Sequence, residues 1–243
     1  MEIDEKKPFL EHLEELRRRL IVCIIAVGFG FVISYFFSER AFLILIKPLK
    51  EALPEDSFLI FTNLPEMFVT YLKISLIMGI MFASPVIFYE MWKFVAPGLY
   101  QNEKRFLFPF VLSSTVLFIG GAIFGYFVVF PFGFKFFLGF ANKYVKALPS
   151  VKQYFSFAIK LLIAFGIVFE LPVLTYFLTK IGILTPNFLK KNRKYAIVLI
   201  FTAAAIFTPP DVMTQIIMAL PLLFLYEISI IISKLAYAGK KER

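Results

Sequence analysis

Residues 20–37 read LIVCIIAVGFGFVISYFF, eighteen positions without a charge, and Glu39 and Arg40 close the run. As an α-helix this stretch rises roughly 27 Å, close to the hydrocarbon thickness of a bilayer. It is apolar all round, so lipid solvates it more naturally than a core contacted on one stripe. Outward from it the pattern returns at 67–89, 106–130, 161–179, 195–207 and 212–226, with charges or prolines between. The whole chain is 60% hydrophobic, holds 33 Phe in 243 residues and has a mean hydropathy of +0.81. Soluble domains are nearer half apolar. The sequence therefore predicts an all-α polytopic membrane protein with six transmembrane helices, and excludes a soluble enzyme.

The first outer connection, 41–66, holds Pro48, Pro54 and Pro65 and reads as a loop with a short helix at 42–46. Pro85 is expected to kink the second span, and Pro131 to end the third. The last pair is short: 195–207 has only thirteen residues, and 212–226 is closed by Glu227 or carried on to Ser233. Short spans thin the local bilayer or sit inside an assembly. Lys and Arg crowd 1–19, 90–105, 180–194 and the tail, and thin out in the alternate connections. The positive-inside rule then puts both ends in the cytoplasm. Three regions follow: an amphipathic cytoplasmic segment 1–19, a six-helix domain 20–233, and a basic tail 234–243.

The formal charge of +9 belongs to this topology, because the basic residues flank apolar runs; no nucleic acid is implied. A single cysteine, Cys23, excludes an internal disulfide, and neither a metal cage nor a cofactor loop is present. GxxxxGK[ST] is missing, which argues against a motor ATPase. Residues 1–19 mix acids and bases ahead of any long apolar stretch and read as mature protein.

Few residues carry chemistry. In 8–20, Phe9, Leu13, Leu16 and Leu20 form one apolar stripe, with Glu11, Glu14, Glu15 and Arg18 on the other face. This reads as a short helix that lies on the inner membrane surface and leads into the first span, with Glu14–Arg18 and Glu15–Arg19 as i,i+4 pairs. Glu15 and Glu103 both fall on the inner side, where two carboxylates suit an arginine-bearing peptide. Glu170 stands in mid-span, where an ionisable group is costly and functional by default. It has to face a cavity, pair with Thr208, Thr214 or Gln215, or be protonated. Asp211 follows Pro209-Pro210 in a tight turn and suits a helix cap.

Several segments taken together resemble a known family. His12-Leu13, Glu15-Leu16-Arg17 and Arg19-Leu20 match an HLxELRxRL opening. Phe94, Pro97-Gly98-Leu99 and Glu103-Lys104-Arg105 fit a first cytoplasmic loop, and Phe165-Gly166, Phe169-Glu170 and Pro172 fit a fourth span. Arg193-Lys194-Tyr195, Thr208-Pro209-Pro210-Asp211 and Gln215 fit a last hairpin. In this order they resemble TatC, the multispanning core of the twin-arginine protein translocase. The resemblance implies a receptor for twin-arginine signal peptides and the core of a translocase that exports folded proteins, driven by the proton-motive force. It implies a bacterial cytoplasmic membrane, self-association in a complex, and partners of the single-span TatA/TatB type. It assigns Glu15, Arg17, Phe94, Leu99 and Glu103 to signal-peptide binding, and Glu170, Thr208, Asp211 and Gln215 to an intramembrane polar and partner-docking set.

Two other functions fit the bare composition. A proton-coupled small-solute transporter would use Glu170 as its coupling site, although the sequence has no internal repeat to support it. An insertase would act on unfolded chains.

Overall fold

The 20–37 run lies within α1 (Ile3–Phe36), a helix unbroken from its first residue. The computed structural model describes residues 3–54, 57–95, 107–140, 144, 147–208 and 211–241, with side chains described for those between 11 and 238. The amphipathic segment leads into the first span, as expected, and forms one helix with it, because no proline or glycine interrupts 9–27.

Where a loop was expected, α2 (Ser38–Ala52) forms four turns and runs through Pro48. A proline inside a helix strands the carbonyl four residues back, here that of Ile44. The Tyr126 hydroxyl donates to that oxygen at 2.6 Å, and the Tyr154 hydroxyl donates to the next one, on Leu45. Tyr126 thereby replaces the donor that the proline removes, and Tyr154 adds a second tie to the same turn. α3 (Glu66–Val95) uses a similar device at Pro85: the Ser84 hydroxyl donates to the stranded Met81 carbonyl at 2.7 Å.

Pro131 does not end the third span either. α4 (Leu107–Phe124) leads into a π-helical turn (Gly125–Val129) and then α5 (Phe130–Leu138). The Phe130 amide bonds back to Gly125, so the ladder has already shifted register when the proline arrives. The fourth span, expected as one helix, is two: α6 (Val151–Val168) and α7 (Leu171–Ile181). The break at Phe169-Glu170 falls where Pro172 has no N–H for the Val168 carbonyl. α7 ends on Gly182 at φ 90°, with the Ile183 amide bonding the Leu178 carbonyl at 2.9 Å.

After α8 (Pro186–Lys191), α9 (Arg193–Phe207) is short, as expected, at 15 residues or roughly 22 Å. The expected shortness of the last helix is wrong. α10 (Val212–Lys241) has 30 residues and passes straight through Glu227. That carboxylate does not stop it because Arg193 on α9 pairs with it at 2.6 Å. Among the described residues, five helical segments are long and apolar enough to cross a membrane: Glu11–Phe36, Glu66–Val95, Leu107–Leu138, Val151–Ile181 and Val212–Ala238.

Small residues set the closest approaches, as expected where lipid gives helices little hydrophobic reason to associate. α1 packs on α3 where Gly30 meets Gly79, and a Cβ on Gly79 would stand 2.6 Å from the Phe31 amide nitrogen. α4 packs on α6 where Gly121 meets the Phe165 carbonyl. α7 and α10 are joined by the buried Thr179 and Ser233 hydroxyls at 2.8 Å. Gly79→Val is expected to cost about 1–3 kcal/mol through overpacking. Gly28→Val is the control, since a Cβ there meets nothing within 4 Å. Thermal unfolding of both variants in detergent checks this: only the first should melt earlier.

At one end of the bundle, Glu66 is buried and fully engaged. It accepts from the amides of Thr62, Asn63 and Lys152 and from the Ser150 hydroxyl, at 3.1, 3.4, 2.8 and 3.1 Å. With a single bridge between Ile60 and Ser150, it clamps the 57–65 segment to the start of α6. The opposite half is held by an aromatic core of Phe88, Trp92, Phe110, Phe118 and Phe177 between α3, α4 and α7.

Candidate functional site

Three groups of polar residues stand out in a mostly apolar bundle. The first joins α1 to the last turns of α3. Glu15 and Arg19 sit one helical turn apart, and the Arg19 guanidinium binds Glu15 Oε1 through Nε at 3.1 Å and also through Nη2. Its other arm, Nη1, reaches Glu90 Oε2 on α3 at 2.9 Å. One guanidinium thus lies between two carboxylates from different helices. Arg19 and Glu90 are each about one-seventh exposed, while Glu15 keeps 37% of its side chain open. His12 Nδ1 stands 3.9 Å from the second Glu15 oxygen, and its imidazole stacks on Phe94 with ring centroids 4.3 Å apart.

A cavity of about 270 Å³ opens here, lined by Glu15, Arg18, Arg19, Val22, Glu90 and Lys93. It has two acids, three bases and an aromatic neighbour. Such a site suits a charged, planar group that meets carboxylates edge-on.

Of the residues expected to act together, Glu15 and Phe94 are therefore brought to one place, bridged by His12. Arg17 is exposed on α1. Glu103 and Leu99 lie outside the described residues. Glu90 was missed because its partner stands 71 positions away and only helix packing joins them. Of the two expected i,i+4 pairs, the Glu15–Arg19 pair forms.

The second group is at the α6–α7 break. Glu170 is 6% exposed, and neither carboxylate oxygen has a hydrogen-bond partner among the described residues. The expected partners are engaged elsewhere. Thr208 donates to the Ala204 carbonyl, Thr214 bonds Asp211, and Gln215 donates to the Phe201 carbonyl at 2.9 Å. The polar neighbour that faces Glu170 is Ser114 on α4, whose oxygen accepts from Trp92 Nε1 at 3.0 Å. Beside the break, an apolar groove of about 350 Å³ runs between α4 and α7, with Pro172, Val173 and Tyr176 on one wall and Phe110, Ser113 and Leu117 on the other.

The third group is the α9–α10 hairpin. Asp211 caps α10 by accepting from the Thr214 amide at 2.7 Å and from its hydroxyl. Gln215 ties α10 back to α9. Around this fixed corner, Val198, Leu199 and Ile206 of α9 and Val212 of α10 remain exposed. That apolar surface is suited to lipid or to another membrane helix.

Comparison with known proteins gives a consistent result. A family model described as "Sec-independent protein translocase protein (TatC)" matches residues 11–221. The Sec-independent protein translocase protein TatC of Desulforapulum autotrophicum is 57% identical, over 98% of this chain and 88% of its own length. That of Escherichia coli K12 is 38% identical, over 99% and 93% respectively. A crystal structure titled as the twin-arginine translocase receptor TatC superposes with a TM-score of 0.84 at 47% identity, covering 93% of this chain and 99% of its own.

Proposed function

The chain belongs to the TatC family of Sec-independent protein translocase proteins, and from that premise we propose that it binds twin-arginine signal peptides at the Glu15–Phe94 end of its bundle. The observation that carries the reading is the guanidinium already seated between Glu15 and Glu90, with an aromatic ring one contact away. A site that holds one arginine in this way has the charge and the planarity to hold another. Leu99 and Glu103, which follow α3 in the sequence, and Arg17 on α1 complete the recognition set. This end faces the cytoplasm, in accord with the Lys/Arg bias.

The remaining features fit a translocase core in the bacterial cytoplasmic membrane. α9 is the sixth span, and at 15 residues it crosses only a thinned bilayer or the interior of an assembly. The exposed apolar face around Thr208, Asp211 and Gln215 receives a single-span helix of the TatA/TatB type. Glu170, beside the apolar groove, provides the intramembrane polar group that such a partner or a bound leader meets. The complex self-associates and uses the proton-motive force to move folded cargo.

A folded fluorescent reporter behind a twin-arginine leader tests this. Cells whose only TatC is this chain, together with single-span partners, should export the reporter, and a Lys-Lys leader should leave it inside. Solute uptake by vesicles holding the chain alone, without reporter export, would favour the small-solute transporter instead.

A further inference from the structure

We propose that Arg19 is a built-in occupant of the signal-peptide arginine seat, and that Glu90 is the positioning residue that holds Arg19 when the peptide's arginine takes Glu15. The inference rests on the preceding reading that Glu15 receives the peptide.

The geometry carries it. Arg19 spends two of its nitrogens on a single oxygen of Glu15, Oε1, and a third nitrogen on Glu90. The other Glu15 oxygen, Oε2, stands 3.9 Å from His12 Nδ1 and outside the Arg19 contacts. Glu15 is thus half-committed and the more open of the two acids, with 37% of its side chain exposed against 14% for Glu90. An incoming guanidinium therefore meets Glu15 first and competes with Arg19 for it.

Removing an arginine from its carboxylate in a partly desolvated site is costly if the freed charge finds no partner. Here it finds one, since Nη1 is already on Glu90. The exchange then swaps one ion pair for another and strands no charge. The remaining charged groups around the cavity, Arg18 and Lys93, are both basic and cannot take that role. Lys93 lies over the Tyr89 ring at 5.4 Å, which keeps its ammonium by the site, where it opposes a free, unpaired Arg19.

The scheme gives Glu90 an effect on binding that depends on Arg19. Without Glu90, Arg19 holds Glu15 as its sole acid and resists displacement. Without both residues, Glu15 is simply free. The test is titration of a fluorescent twin-arginine peptide into the full chain, with variants Glu90→Gln, Arg19→Gln and the double variant. Kd is read from the titration midpoint, which does not depend on how much of the sample is folded. Glu90→Gln should weaken binding roughly ten-fold. Arg19→Gln should strengthen it, and the double variant should bind as tightly as Arg19→Gln, because Glu90 then has no Arg19 to hold.

Rescue beyond the unmodified chain is the signature: a structural Glu90 would be rescued at most to the unmodified affinity, since removing both partners of an ion pair strands no charge, and a Glu90 that contacts the peptide directly would not be rescued by removing Arg19. Unchanged affinity in Glu90→Gln, or losses that add in the double variant, overturns the inference. The parent reading fails separately: it falls if the unmodified chain binds a Gln-Gln peptide as tightly as the Arg-Arg one.

Discussion

Glu170→Leu is expected to stop export while leaving the protein at least as stable as before. Both carboxylate oxygens of Glu170 are buried and lack hydrogen-bond partners among the described residues. Such a group does not support the fold; it costs free energy in the free state. Replacing an unsatisfied buried polar group with an apolar one of similar size is neutral or stabilising, here by roughly 1–3 kcal/mol. On the proposed reading, Glu170 meets its partner only at work, supplied by the leader or a neighbouring helix through the groove beside Pro172. Peptide capture at the Glu15–Phe94 end should be unaffected. Thermal unfolding in detergent, peptide binding and reporter export, measured on the same variant, decide it. A variant that melts markedly earlier, or one that exports normally, contradicts the account.

The second large effect is expected from charge reversal at the arginine seat. Glu15→Lys places an ammonium beside Arg19 and inverts the field that the leader's arginines meet. Peptide affinity should fall by roughly 30-fold or more, the range seen when one side of a hydrogen-bonded charge pair is lost at an interface. Glu103→Lys should do the same. The fold should survive both. α1 and α3 also pack at the Gly30–Gly79 crossing, far along the helix from Glu15. Isothermal titration with a twin-arginine peptide, alongside thermal unfolding, separates the two effects. Equal losses of stability and binding would reassign Glu15 to structure.

These expectations draw unequally on the sequence. Apolar runs mark spans because lipid imposes length and polarity residue by residue, so the long helices, mid-span Glu170 and the short α9 were all legible. Prolines misled in two places, at Pro48 and Pro131, while Pro85 lies inside its span as expected. Pro48 and Pro85 sit inside helices because the hydroxyls of Tyr126 and Ser84 take up the carbonyls they strand, and Pro131 follows a π turn that has already shifted the ladder. Two of those devices are visible only after distant or local geometry is known. The end of the last span was misjudged for a related reason. Glu227 looked like a stop until Arg193, 34 positions earlier, was seen to neutralise it. Glu90 was hidden in the same way: alone at the end of a helix it is an ordinary surface acid, and only the α1–α3 crossing makes it the second holder of Arg19.

The central claim is that carboxylates at the Glu15–Phe94 end hold the paired guanidinium groups of a leader peptide. An aromatic photocrosslinking residue in place of Phe94 keeps a ring against His12 and reports contact directly. Crosslinking to a leader with Arg-Arg should be strong and should disappear when both arginines are glutamines. Equal crosslinking of the Gln-Gln leader would contradict the claim.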